Sequence, residues 1–318
     1  ASGEDPSVTE LEVFLAELFN REAAQFFPSA TMSGQAASAL WCHPAEIVVR
    51  EADGHNFSFE TGAMSLISGT QARTVPGRHG ILSAGMLADA VRHPENSHAR
   101  TSLIVLENSS NYGGGTVYPP ATLDAIYSLA DSHGLPVHID GARIFNALEY
   151  YRHSDVNISP AQLLPARGSI SVCFSKGLGA PMGAALVGDA QFIAEAARMR
   201  SLLGGTMRQV GFMAAAALYG LRHNRDRIVE DHANARYLAQ GLAKIEGLSV
   251  ALETVQTNMV YVDVAAGTAR ADRLITQLAD KGIMAWSLSG RLRFVTSMLV
   301  GRADCEHAVA VAGEALAH

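Results

Sequence analysis

Short apolar runs alternate with amphipathic stretches along most of the chain. Residues 46–49, 102–106, 136–139, 169–174 and 184–187 are brief, largely apolar and bounded by turn formers, the pattern of strands buried on both faces. Between them, 120–133 reads as a helix with Pro120 in its first turn and a stop at Gly134, and 190–202 reads as a second. Repeated strand–helix–strand succession calls for crossover connections, so the expected class is α/β with a mostly parallel sheet covered by helices on both faces. Beyond about residue 224 the texture changes. A long charged helix over 225–244 precedes a smaller βαβ-like set: 257–262, 270–281, 292–296 and a last helix to about 316. The expected division is a large unit, 1–224, and a small C-terminal α/β unit, 225–318.

Composition narrows the classes. Of 318 residues, 48% are hydrophobic and 17% charged, which describes a packed globule and not a disordered chain. The net charge of −7 leaves no basic footprint for a phosphate backbone, so no nucleic-acid partner is expected. No apolar run reaches the roughly 18 residues a membrane span needs, and residues 1–6 hold no signal-peptide core. Cys42, Cys173 and Cys305 are odd in number and far apart, a poor disulfide framework that suits a reducing, cytoplasmic setting. No metal site is expected. Three lysines stand against 21 arginines, and none is followed by Ser or Thr, which rules out a phosphate-cradling P-loop.

In an open parallel sheet, ligands gather beyond the carboxyl ends of the strands. Three predicted strand ends carry polar groups: Glu107-Asn-Ser-Ser110-Asn111, then Asp140-Gly-Ala-Arg143, then Ser175-Lys176-Gly-Leu-Gly179. Lys244 and Lys281 fall late in predicted helices, where cations are ordinary. Lys176 instead follows an apolar strand inside a small-residue turn. An amine delivered there is suited to Schiff-base chemistry, because desolvation favours the neutral nucleophile; equally, it fits a lysine that snorkels to solvent. Asp140 fits a partner for a protonated pyridine nitrogen, and it fits an ion pair with Arg143.

His138-Ile-Asp140-Gly-Ala-Arg143-Ile-Phe-Asn146, Phe174-Ser175-Lys176-Gly-Leu-Gly179-Ala-Pro-Met-Gly183 and Gly204-Gly-Thr-Met-Arg208 resemble, in order, motifs of the low-specificity threonine aldolases, fold-type I (aspartate aminotransferase-like) enzymes of the β-eliminating lyase group. Gly3-Glu-Asp-Pro6 and Arg291-Leu-Arg293-Phe-Val-Thr296 resemble motifs near the family's two ends. The resemblance implies pyridoxal 5'-phosphate as cofactor, bound by the large unit. It implies Lys176 as the Schiff-base lysine beside Ser175, Asp140 as the pyridinium partner, and Arg143 near the phenolic oxygen and the substrate. It also implies His55 stacked on the ring, Ala30 and Thr31 at the phosphate, Arg293 on the substrate carboxylate, and Arg208 reaching a phosphate across a dimer interface. Homodimers or homotetramers with shared active sites follow from it.

The chain departs from the family where the reaction is decided. Ser110 and Ser297 replace two expected histidines, Ser201 replaces a basic residue, and an upstream Arg-Ser-Asp-Thr element and a tyrosine aligning with Ser2 are missing. The expected reaction is cleavage of an L-β-hydroxy-α-amino acid, of the threonine, allo-threonine or phenylserine type, to glycine and an aldehyde. Its base is expected to be a water ordered by Ser110, His79 or a neighbour. A β-eliminating lyase, a racemase or a transaldolase on the same cofactor is the alternative, and a non-catalytic pyridoxal-binding protein is a third reading.

Overall fold

The computed structural model describes residues 5–92, 99–154, 156, 158–265, 267–288 and 290–316. The expected motif residues Gly3 and Glu4, and Ser2, lie outside the described residues. Seven strands form the larger sheet: β1 Ala23–Phe27, β2 Ile47–Glu51, β3 Gln71–Val75, β4 Thr101–Glu107, β5 Val137–Gly141, β6 Gly168–Cys173 and β7 Ala184–Gly188. Their order is β1-β7-β6-β5-β4-β2-β3. The run from β3 to β6 is parallel; β7 returns antiparallel beside β6, and β1 antiparallel beside β7.

Every residue of β4, β6 and β7 is buried, so both faces need cover. Alternation along β7 shows how it is supplied. Ala185 and Val187 join the main core with Leu11, Leu15 and Phe19 of helix Pro6–Phe19 and Ile126 of helix Pro120–Ser132. Ala184 and Leu186 point the other way, against Ala36 and Ala37 of helix Ala30–Trp41 and Ile193 and Ala196 of helix Ala190–Leu202. The three cysteines are buried and unpaired. Among the described residues no helix is long and apolar enough to cross a membrane.

The C-terminal part differs from the βαβ-like expectation. Strands β8 Leu248–Ser249, β9 Met259–Val264, β10 Trp286–Leu288 and β11 Arg291–Val295 make a sheet of order β10-β11-β9-β8 that is antiparallel throughout. Helices Ile228–Leu242, Thr268–Asp280 and Arg302–Leu316 close a second core on it through Leu238, Leu274 and Val311. The long helix expected from residue 225 begins with a 3-10 turn, Arg225–Arg227, and turns α-helical at Ile228.

Candidate active site

Strands β4, β5 and β6 end in register at the carboxyl edge of the large sheet, where Glu107 lies beside Asp140 and Asp140 beside Ser171. Asp140 Oδ1 accepts from the Ala142 N–H at 3.1 Å, which fixes the carboxylate at the strand end. The next residue must be glycine: a Cβ on Gly141 would meet the Ser171 carbonyl of β6 at 2.5 Å.

A charged cluster fills the space between these ends and β2. Arg50, in the last turns of β2, is buried. Burial pushes its guanidinium down to about 10, while Asp140, Glu60 and Glu107 hold the charge in place. Glu107 is itself raised, first by burial and then by Asp140. Its Oε2 accepts from the His55 N–H at 3.0 Å and its Oε1 from the Asn111 N–H at 2.8 Å, so one carboxylate anchors two loops. His55 opens the short helix His55–Ser58. Its Nδ1 stands 3.5 Å from Glu60 Oε1, a carboxylate that also accepts from Gln35 Nε2 at 2.5 Å. The Glu60 hydrogen bond raises the His55 pKa, burial opposes it, and the charges of Asp140, Glu107 and Lys176 are all felt at the ring. His55, Asp140 and Lys176 therefore share one site.

Lys176 sits in the turn between β6 and β7. Its carbonyl accepts from Gly179 N–H at 2.9 Å and Phe174 C=O from Ala180 N–H at 3.0 Å, so the turn is closed on itself. Gly177 lies against Asn146, and Asn224 Nδ2 donates to Leu178 O at 2.8 Å, fixing the turn from outside. Lys176 is half-buried and Ser175 exposed, its Oγ 3.4 Å from Cys173 Sγ. Lys244 and Lys281 are both exposed.

The helix Ala30–Trp41 starts beside these strand ends. Ser29 caps it by accepting from Met32 N–H at 3.2 Å; the first-turn N–H groups of Ala30 and Thr31 point outward, as at any helix start, and suit an anion. Ser33 Oγ bonds Ser171 Oγ at 3.1 Å, and Trp41 Nε1 donates to Ser169 Oγ at 2.9 Å, staking the helix to β6. His138 bridges the same two serines, 2.9 Å from Ser169 Oγ and 3.3 Å from Ser171 Oγ; burial holds it neutral, with its pKa lowered to about 4. Arg208 is exposed on the loop that follows Gly205, which presses on Met32 in the helix's first turn.

Two guanidiniums meet opposite. Arg293 of β11 donates from Nη1 to Asn111 Oδ1 at 3.0 Å and lies 4.8 Å over the Trp286 ring. Arg143 precedes helix Ile144–Arg152; burial and then the charge of Arg293 lower its pKa. The Nε of each is buried without a hydrogen-bond partner. Two cations held together with spare donors make a site for a carboxylate or phenolate.

Ser110 is buried, with Oγ accepting from Gly113 N–H at 3.2 Å. Ser297 Oγ accepts from Leu299 N–H at 3.4 Å in the turn after β11, and Ser201 Oγ stands 2.8 Å from Thr206 Oγ1. The His79 carbonyl accepts from Thr116 Oγ1 at 2.6 Å. Arg50, Glu60 and Asn111 were not singled out from sequence as site residues. The rule that found Asp140 applies to Arg50 as well, since Arg50-Glu51 ends an apolar strand with charge.

An amine, a carboxylate, an imidazole ring, a free helix start and paired guanidiniums form the donor set that pyridoxal phosphate and an amino acid require. Known proteins agree. The β-eliminating lyase family model matches residues 1–265. Low-specificity L-threonine aldolase 1 of Arabidopsis thaliana is 33% identical over 99% of this chain and 88% of its own length. The low specificity L-threonine aldolase of Escherichia coli O157:H7 is 36% identical over 85% of this chain and 78% of its own. In fold, the chain is similar to threonine aldolase of Leishmania major (TM-score 0.82, 20% identity, 98% of this chain and 90% of that one). It is also similar to serine palmitoyltransferase of Sphingomonas wittichii (TM-score 0.76, 18% identity, 97% and 76%). The chain belongs to the β-eliminating lyase family, among its low-specificity threonine aldolases.

Proposed function

We propose that this chain is a pyridoxal-phosphate-dependent lyase that cleaves L-β-hydroxy-α-amino acids to glycine and an aldehyde. The observation that carries the reading is the pairing of Arg143 and Arg293, each with a buried Nε that lacks a partner, beside Glu107, whose charge is felt both by Arg143 and by His55. Lys176 would be the attachment point for the cofactor aldehyde, Asp140 would pair with its ring nitrogen, His55 would pack on its ring and Arg143 would donate to its phenolic oxygen. The Ala30 and Thr31 N–H groups would receive the phosphate, with Ser175 and Arg208 as further cofactor contacts.

When bound, pyridoxal phosphate supplies the electron sink that accepts the pair released as Cα–Cβ breaks. Arg293 grips the substrate α-carboxylate, and Asn111 holds Arg293 in the plane for it. Glu60 keeps a proton on His55 Nδ1, and the carboxylates near Arg50 keep the strand-end charges balanced. The β-hydroxyl proton passes to solvent through a water held by His79, Ser110 or a neighbour; Ser110 Oγ accepts from the Gly113 N–H and keeps its own O–H for such a water.

The division into 1–224 and 225–318 is supported by the two separate cores, and the site lies where loops of both meet. An exposed Arg208 beside the phosphate-side helix supports a homodimer or homotetramer in which it serves a neighbour's site, and three unpaired cysteines support a cytoplasmic setting. Glycine and aldehyde are to be measured after incubating cofactor-loaded protein with threonine, allo-threonine and phenylserine. Glycine from at least one is expected; pyruvate and ammonia, or Cα deuterium exchange without aldehyde, would transfer the chain to the eliminating or racemising reaction.

A further inference from the structure

We infer that the large sheet carries a separate anion site at the amino ends of its strands, built to take a phosphate monoester of metabolite size. The groups described above gather at the carboxyl ends of β4, β5 and β6. This cavity lies at the opposite ends: Arg100 directly precedes β4, Pro136 precedes β5 and Arg167 precedes β6. It has a volume of about 380 Å³, and Arg92, Arg100, Arg167 and His133 line it together with Trp41, Leu135 and Pro136. Among the described residues no carboxylate lines it, in a chain whose net charge is −7.

The three arginines are pinned through their backbones. Arg92 N–H donates to Thr101 Oγ1 at 2.9 Å and Thr101 N–H donates to Arg92 O at 3.1 Å, while Ile47 N–H of β2 donates to Arg100 O at 2.8 Å and Val137 N–H of β5 to Arg167 O at 3.1 Å. Each guanidinium is steadied by one nitrogen: Arg92 Nη1 donates to Asp89 O at 3.3 Å, Arg100 Nη2 to Glu46 Oε1 at 2.6 Å and Arg167 Nη1 to Gly134 O at 2.8 Å. A guanidinium carries five N–H donors, so most are left for a ligand. Among the described residues, Glu46 is the one carboxylate paired with any of the three. Like charges gathered in one concavity repel until an anion enters. The arginines are exposed, so that anion can enter from solvent. A carboxylate offers two oxygens and one charge; a phosphate monoester offers three oxygens and close to two charges, which suits guanidiniums supplied by three separate segments. A phosphate group occupies the space of a few waters, each of roughly 30 Å³. The remainder, walled by Trp41, Leu135 and Pro136, has room for the carbon skeleton of the ester.

Calorimetry on the cofactor-loaded protein, freed of excess cofactor and kept in buffer without phosphate or sulfate, tests this with phenyl phosphate and inorganic phosphate. Phenyl phosphate is expected to bind, more tightly than inorganic phosphate, and equimolar benzoate should not displace it. Replacing Arg92→Gln or Arg167→Gln should each weaken it about tenfold or more, and the double variant further. Both positions are exposed, and the single variants serve if the double one does not fold. Arg293→Gln, which removes the substrate clamp at the other end of the strands, should leave the affinity unchanged. Absence of phenyl phosphate binding, inorganic phosphate bound as tightly, displacement by benzoate, or an affinity lost with Arg293→Gln and kept in the Arg92 and Arg167 variants would each overturn the inference. Binding at this cavity does not depend on turnover, so it stands or falls separately from the retro-aldol reading.

Discussion

Arg143 and Arg293 stand close enough for the charge of one to lower the pKa of the other, an arrangement that costs free energy until an anion enters. Replacing Arg293 by Lys removes the planar fork and leaves a point charge. A charge-assisted pair of this kind contributes about 1.5–3 kcal/mol, so Arg293→Lys should lower kcat/KM about 10- to 100-fold, mostly through KM in steady-state assays. His55 titrates above its ordinary value, with the Glu60 hydrogen bond as the largest cause. The sign follows: a raised histidine adds stability that is complete below about pH 6.5 and is lost as pH climbs through the folded-state value. NMR titration should place His55 above about 6.5 in the wild type and lower in Glu60→Gln. At this scale Lys176 and Asp140 stand out in the sequence as polar residues closing apolar runs, and Arg293 only through the motif it shares with the family. Glu60 does not stand out, since its partner is brought to it by the fold of the 55–60 turn and not by any spacing.

Helix Ala30–Trp41 is positioned by two polar contacts with β6, Ser33 to Ser171 and Trp41 to Ser169, and the neutral, buried His138 of β5 bridges those same two serines. With its pKa lowered to about 4, His138 binds a proton in the unfolded chain that it refuses in the folded one between pH 4 and about 6.5. Stability should therefore be present above about 6.5 and fall as pH drops toward 4, by at most ~1.4 kcal/mol per pH unit from this group. Urea unfolding at stepped pH checks this, and His138→Gln should flatten that part of the profile. Among the elements, β4, β5, β6 and β7 were visible as apolar runs. Strand β1 was not, because Gln25 interrupts it; Glu12 satisfies that amide at 2.6 Å from the neighbouring helix. Edge strand β3 carries Gln71, Arg73 and Thr74 and lacks the apolar pattern of a buried strand. The antiparallel return of β7 was invisible for a different reason: direction lies in the tight Lys176 turn and not in the strand's composition.

Across the whole molecule, the loop from Asn111 to Val117 sews the large sheet to the small one. Thr257 Oγ1 donates to Gly115 O at 2.9 Å, Val117 N–H donates to Gln256 Oε1 at 2.7 Å, and Arg293 donates to Asn111. The seam holds Arg293 over the large-sheet residues, so stability and substrate affinity are coupled there. Thr257→Val leaves the Gly115 carbonyl without its partner and should cost about 1–3 kcal/mol in denaturant unfolding, with a rise in KM. Sequence shows a change of texture near residue 224, but it read the small sheet as βαβ-like, because an antiparallel pair and a parallel one carry similar apolar strands when a helix covers one face. The account turns on where the cofactor is held. Reducing the cofactor-loaded protein with borohydride, digesting it and locating the pyridoxyl group by mass spectrometry tests that directly. The label is predicted on the peptide containing Lys176; a label confined to Lys244 or Lys281, or none on any lysine, would contradict it.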